Sequence, residues 1–206
     1  VYVPDCEADD IIGYLTNYEL NDREIVVVTS DKDYYQLISP NVKIWSPGQK
    51  KLIDEHVVLE KFGISVNNFV AARCFCGDTS DGISGAKGVG FKSLSKRLPQ
   101  LASKEELSVT DIVNVATKLG ANSHLKLYKS IVAYKDRAML NWKLMYLGTN
   151  NLSADQINRT EFQINQEPPS AKKLDFMRLL QKNQIVNFDV NSSLIIHRLK
   201  LHFGKI

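Results

Sequence analysis

The run Glu24-Ile25-Val26-Val27-Val28-Thr29 is apolar and β-branched, and it breaks off at Ser30-Asp31-Lys32-Asp33. β-Branched side chains pack well on a pleated sheet and lose rotamer freedom in a helix. A run that is apolar at successive positions, without alternation, suits a strand covered on both faces, as parallel strands are. It therefore predicts a buried parallel strand whose carboxyl end delivers two aspartates. Upstream, Ile11, Ile12 and Leu15 lie on one face of a helix beginning near Glu7. Downstream, the pattern predicts a short helix over 34–38, a second strand over 42–45 and a turn at Ser46-Pro47-Gly48. This alternation is α/β, with part of a mainly parallel sheet flanked by helices.

Beyond Asp54 the periodicity is helical. Helices are predicted over 54–62, over 67–76 with Phe69, Val70, Ala72 and Cys76 on the apolar side, over 91–98 closed by Pro99, over 109–119 with Gly120 as its C-cap, and over 122–136. Residues 148–169, rich in Gly, Asn, Ser and Pro, read as a linker, followed by helices near 170–182 and 190–203. The division this suggests is 1–66 for the α/β body, 67–147 for a helical region and 148–206 for a linker with terminal helices. At 206 residues the chain can bury one good core and carry a helical annex.

Three acidic motifs end or open predicted elements: Glu7-Ala8-Asp9-Asp10 at a helix start, Asp31-Lys32-Asp33 after a strand, and Gly77-Asp78-Thr79-Ser80-Asp81 after a helix. Singly, each has an ordinary reading. Asp9 and Asp10 favour a helix dipole, Asp31 caps the next helix, and a Gly-Asp-x-Ser-Asp is a common turn. Together they can bring seven carboxylates to the end of an open α/β sheet, where ligand sites form. Like charges so gathered need cations or protons. Oxygen donors with no matching His or Cys set favour Mg²⁺ or Mn²⁺, and two ions roughly 4 Å apart suit phosphodiester hydrolysis.

Directly after the third motif comes Gly82-Ile83-Ser84-Gly85-Ala86-Lys87-Gly88-Val89-Gly90-Phe91-Lys92-Ser93. Glycines admit main-chain N–H groups to phosphate, and Lys87, Lys92 and Lys96 add charge without reading sequence, as a loop for nucleic-acid backbone does. The rival, a nucleotide-binding P-loop, has the Gly85-to-Gly90 spacing, but Phe91 separates Gly90 from Lys92-Ser93 and no strand precedes it. A surface turn with solvated lysines is the plain alternative. The net charge of +3 is small, yet the signs segregate. Residues 1–40 are acidic with only Arg23 and Lys32 as bases, whereas 85–104 carry Lys87, Lys92, Lys96, Arg97 and Lys104 and no acid. An acidic cluster beside a basic surface suits metal ions held against a polyanion.

No apolar run approaches the roughly 18 residues of a bilayer span, and the opening residues lack the pattern of a secretory signal. A cytoplasmic, non-membrane protein is expected. Cys6, Cys74 and Cys76 have no metal-site spacing and read as reduced thiols. Tyr34 and Tyr35 are candidates for the core or for base stacking, and His197 and His202, five apart, are assigned no role.

EADD, VVVTSDKDYYQLI and GDTSDGISGAKGVGFKSL, in this order and spacing, resemble the 5′-nuclease superfamily of polymerase-associated exonucleases and flap endonucleases. The stretch SPNVKIWSPGQKK is most similar to the tailed-phage ribonuclease H branch, which removes RNA primers and adjoining DNA. The likeness covers about residues 5–98. It implies a PIN-like 5′-nuclease core joined to a helix-hairpin-helix DNA-binding region. It further implies that Glu7, Asp9 and Asp31 serve a first metal ion as ligands or just behind them, that Asp33, Asp78 and Asp81 serve a second, and that Asp10 acts through water. Glu7, Asp9, Asp31 and Asp33 are then the catalytic set. Gly85, Lys87, Gly88, Gly90, Lys92, Ser93 and Lys96 would grip a flap duplex or an RNA–DNA primer, with a monovalent cation on the loop carbonyls. The family's opening strand, with its Asp ligand, and its basic helical arch have no counterpart here. Either a separate N-terminal nuclease polypeptide supplies them or the chain is a fragment, and such a polypeptide and replication proteins are the expected partners. The expectation of a different class is a catalytically inactive duplex-binding module.

Overall fold

The computed structural model describes residues 1–148, 151–166 and 173–185. They fall into two compact units, Val3–Ile157 and, separately, Val1–Tyr2 with the described part of Asn158–Ile206.

The larger unit opens with helix α1 (Ala8–Tyr14), which runs into a π-helical turn, Leu15–Glu19. Strand β1 (Ile25–Val28) pairs in parallel with β2 (Val42–Ser46), with Val27 opposite Ile44. A 3₁₀ turn, Asp33–Leu37, fills the crossover. The short strand β3 (Lys51–Ile53), absent from the sequence reading, returns antiparallel on β2. Its Lys50-Lys51-Leu52-Ile53 is too short and too charged to carry a period. Helices α2 (Glu55–Phe62) and α3 (Val66–Cys76) follow. Asp54 caps α2 by accepting the Val57 N–H at 3.0 Å, and Gly63, in the left-handed region at φ 65°, ends it.

Two apolar clusters lie on either side of α3. One holds Val27, Tyr34, Tyr35, Leu37, Ile44, Ile53 and Phe69, so the tyrosine pair is core. The other gathers α3, α4 (Phe91–Arg97), α5 (Val109–Ala121), α6 (Lys126–Ala133) and α7 (Lys135–Met145) around Phe75, Leu94, Ile112 and Ile131. Rings join them: Phe91 stacks on Phe69 with centroids 5.1 Å apart and meets Phe62 at 5.0 Å. The helix behind the glycine-rich loop is thereby tied to the sheet.

Three expectations are corrected. Gly120 lies inside α5, which continues to Ala121. There its missing side chain admits Tyr128, whose Cβ would stand 3.1 Å from an added one. The helix expected over 122–136 is two helices, broken at Tyr134, whose hydroxyl donates to the Ser84 carbonyl at 2.6 Å. The stretch read as a linker contains α8 (Ala154–Ile164). Its start is a capping box in which the Gln156 side chain accepts the Ser153 N–H at 2.8 Å and Ser153 Oγ accepts the Gln156 N–H.

In the smaller unit the Tyr2 backbone exchanges two hydrogen bonds with the Gln163 side chain, at 2.8 and 2.7 Å, and Thr160 and Leu180 are buried. Helix α9 (Lys173–Lys182) answers the expected helix near 170–182. The helix expected at 190–203, with His197 and His202, lies outside the described residues. No helix among the described residues is long and apolar enough to cross a membrane.

Candidate metal centre and nucleic-acid interface

Glu7 stands at the N-cap of α1 in extended backbone and makes no cap hydrogen bond, which leaves its carboxylate available for another role. Asp9 and Asp10 follow in the first turn. Asp10 is pinned by Asn151, whose Nδ2 donates to Asp10 Oδ1 at 3.0 Å and to the Tyr146 carbonyl at 2.9 Å. Glu7, Asp9 and Asp10 each bring an oxygen within 4.8 Å of the others.

At the end of β1, Asp31 Oδ1 accepts the Asp33 N–H at 2.9 Å, so the chain turns and carries Asp33 inward. Gln36 holds the next turn, with Nε2 donating to the carbonyls of Asp33 and Met145, both at 2.8 Å, while Oε1 accepts the Leu147 N–H at 3.0 Å. From the turn after α3, Asp78 and Asp81 come to Asp33, again with oxygens within 4.8 Å of one another. The loop between them closes by a two-way backbone bridge, Asp78 to Ile83 and back at 2.8 and 2.7 Å. Gly77, at φ 74°, and Gly85 are required there: a Cβ on Gly85 would fall into the Cys76 carbonyl. Six of the seven predicted acids thus form two groups, with Asp10 rather than Asp31 completing the first.

Arg73, buried in α3, was not singled out from the sequence. Its guanidinium forms ion pairs with Asp33 and Asp78 and lies 3.9 Å from Asp31. Asp33 Oδ1 and Arg73 Nε face each other off the line of a hydrogen bond, and neither has another hydrogen-bond partner. The signal was present: a single base in the otherwise apolar Val70-Ala71-Ala72-Arg73-Cys74-Phe75-Cys76. Buried charge is kept only when paired.

The acids do not share one electrostatic fate. Burial pushes the Asp33 carboxyl up to about 6 against the pull of Arg73, and Asp31 adds to the rise. Burial and the Asp10 charge also raise Asp9. For Asp78, burial is outweighed by hydrogen bonds from Ser80 and by the Arg73 charge, and its carboxyl sits below the ordinary range. Surface exposure does not separate Asp33 from Asp78, at 13% and 10% of the side chain. Hydrogen bonding does, because Ser80 N and Oγ reach Asp78 Oδ1 at 2.9 and 2.5 Å. Burial raises Tyr34 to about 12, with Asp9, Asp31, Asp10 and Asp33 all contributing, so both acid groups act on one ring. Burial likewise lifts Cys74 and Cys76 to about 12, which leaves them protonated and unreactive.

The glycine-rich loop leaves the same turn. Lys87, Gly88, Lys92 and Lys96 are exposed, Gly85 and Gly90 half-buried, and Gly88 takes φ 75°. Ser93 faces inward: the Gly90 N–H donates to its hydroxyl at 2.8 Å. Its work is to start α4 rather than to face a ligand. Buried Asn141 donates to the Cys74 and Ser84 carbonyls at 2.9 and 3.0 Å, and Ser130 Oγ donates to the Lys87 carbonyl at 2.7 Å. A helix, α3, precedes the loop, in keeping with the absence of a P-loop strand.

Residues 1–63 match the family model described as 5′-3′ exonuclease, N-terminal resolvase-like domain. The chain is 41% identical over 105 residues to DNA polymerase I of Deinococcus radiodurans, covering 50% of this chain and 11% of that one. It is 31% identical over 147 residues to flap endonuclease Xni of Shewanella pealeana (71% and 54%), and 28% identical over 145 residues to a 5′-3′ exonuclease of Buchnera aphidicola (69% and 49%). It therefore spans at most about half the length of these relatives. Among solved structures, the bacteriophage T5 5′-exonuclease with bound zinc superposes with a TM-score of 0.62 at 20% identity, covering 77% of this chain and 58% of that one. A T5 flap endonuclease variant in a pseudo-enzyme-product complex with DNA and metal ions gives 0.64 at 19% identity, with the same coverage.

Proposed function

This chain belongs to the 5′-nuclease superfamily, and from that premise we propose that it carries the metal-binding and duplex-gripping part of a 5′-to-3′ exonuclease or flap endonuclease. Its substrate is DNA or RNA–DNA near a 5′ end, as in primer removal, and its ions are Mg²⁺ or Mn²⁺. The observation that carries this reading is the pairing of two three-carboxylate groups with a lysine-bearing glycine loop that leaves the same turn.

The donor set fits hard divalent cations: every candidate ligand is a carboxylate oxygen, and each group of three closes to a single ion's reach. Glu7, Asp9 and Asp10 would hold one ion and Asp33, Asp78 and Asp81 the other. When bound, such ions supply Lewis-acid charge and activate water for in-line hydrolysis. The rest is done by the chain. Asp31 keeps Asp33 turned inward, Asn151 fixes Asp10, and Ser80 fixes Asp78. The loop from Gly85 to Ser93 is the hairpin of a helix-hairpin-helix grip, with Lys87, Lys92 and Lys96 against phosphates and no base read. A monovalent cation on that loop would need carbonyls other than those of Ser84 and Lys87, which already accept side-chain donors.

A further polypeptide segment completes the sheet. β1 lies at its edge. On one face Val26, Val28, Trp45 and Leu52 are 54%, 66%, 38% and 41% exposed, an apolar surface of the kind that α/β sheets cover.

The test is cleavage of a 5′-labelled flap duplex with Mg²⁺, by this chain alone and with a family-type N-terminal polypeptide added. Cleavage that needs metal and vanishes in Asp31→Ala is the expected result. Duplex binding that ignores metal, with no cleavage in either mixture, would identify an inactive binding module instead.

A further inference from the structure

We propose that Arg73 is a resident cation that shares Asp33 and Asp78 with the divalent ion at that group, so that the guanidinium and the ion oppose each other and the two ion positions load unequally. This rests on the metal reading above. Asp78 is committed on both oxygens, Oδ1 to Ser80 and Oδ2 to Arg73, and Asp33 Oδ1 faces Arg73 Nε. Only Asp81, Asp33 Oδ2 and the remaining lone pairs are left for an ion. Arg73 cannot give up its charge, because guanidinium stays protonated in proteins. Nor can it swing away: it is 4% exposed on a helix whose neighbours Phe69, Val70, Ala72 and Cys74 are buried.

Among the described residues no base forms an ion pair with Glu7, Asp9 or Asp10, and Asn151, which holds Asp10, is neutral. Three carboxylates there face an incoming ion with no base opposing it, whereas at Asp33, Asp78 and Asp81 the Arg73 guanidinium already balances one negative charge. The first position therefore fills at lower metal concentration. Arg73 is a positioning residue that keeps Asp33 and Asp78 together before the second ion arrives and weakens that ion's hold once it does.

The measurement is a Mn²⁺ titration of the chain, with free Mn²⁺ read by electron paramagnetic resonance, alongside urea unfolding without metal. Wild type should show a tighter and a weaker class of site. In Arg73→Gln the weaker class should tighten by about tenfold or more, from loss of one opposing charge, while the metal-free fold becomes less stable. A merely structural arginine could not produce tighter binding when removed. Arg73→Lys keeps the charge without the fork and should tighten the weaker class by less; it also decides the matter if Arg73→Gln fails to fold. Weaker or unchanged second-class binding in the folded variants would overturn the proposal and leave the nuclease reading intact. No Mn²⁺ bound by wild type or either variant up to millimolar concentration would overturn both, and Glu7→Gln, which should remove only the tighter class, identifies which class is which.

Discussion

Asn141→Ala should destabilise the larger unit far more than Tyr134→Phe, although both side chains hold the same loop. Asn141 is 1% exposed, and its Nδ2 serves the Cys74 and Ser84 carbonyls at once. Each such bond contributes a net ~1 kcal/mol, and a buried carbonyl left without a donor costs ~1–3 kcal/mol. After truncation Ser84 keeps Tyr134, but the Cys74 carbonyl loses the Asn141 donor. The lower end of the sum is about 3 kcal/mol. At an m-value of about 2 kcal/mol/M this lowers the urea midpoint by roughly 1.5 M at unchanged slope. Tyr134→Phe removes bonds on the solvent side of the loop, where water replaces them, and should cost under ~1 kcal/mol. Urea unfolding followed by circular dichroism reads both. Equal shifts, or an Asn141→Ala shift below ~0.5 kcal/mol, would refute the reasoning, since the loop would then not depend on the buried donor.

Three further outcomes are expected. Asp33 holds its proton more tightly in the folded chain, at about 6 against an ordinary 3.8. Its contribution to stability is thus complete below pH 3.8 and is lost as pH rises through about 6, on the order of 3 kcal/mol; metal-free urea midpoints should fall across that range, and Asp33→Asn should abolish the step. Replacing Lys87, Lys92 or Lys96 by alanine should each flatten the dependence of log duplex affinity on log salt by about 0.9, if each meets one phosphate, and leave sequence preference unmoved; an unchanged slope removes that lysine from the interface. Gly85→Ala drives a Cβ into the Cys76 carbonyl, whereas Gly88→Ala meets nothing and pays only for its positive φ, about 1–2 kcal/mol; thermal unfolding should rank Gly85→Ala as clearly the worse.

What could be read from the sequence was what depends on short-range pattern. Ile25–Val28 announced a parallel strand because its residues are apolar and β-branched, but the burial expected on both faces is not found, since only Val27 is buried while Val26 and Val28 are exposed; the three acidic motifs stood out because each sits where an element starts or stops. Their convergence was inferable from those positions, and the need for cations from their charge. What escaped depends on partners distant in sequence. Gly120 reads as a helix end until Tyr128 is seen packed against it. Tyr134 is an unremarked tyrosine until its hydroxyl is found on Ser84, and Asn151 is one of several asparagines in a polar stretch until it reaches Asp10. Arg73 is the sharpest case. Helical spacing placed it beside apolar residues, and only the acids from β1 and the loop explain why a base belongs there.

The bridge between Asp78 and Ile83, with Gly85 pressed against the end of α3, fixes Asp78 and Asp81 a short, closed turn of chain ahead of Lys87. On the proposed function this segment is a caliper. One jaw touches the phosphate to be cut, the other a phosphate farther along the duplex, and their span is set by backbone geometry rather than by a movable joint between domains. Lengthening the chain between Ile83 and Lys87 would open the jaws and shift where the strand is cut, so the product's length is written into a turn of the main chain.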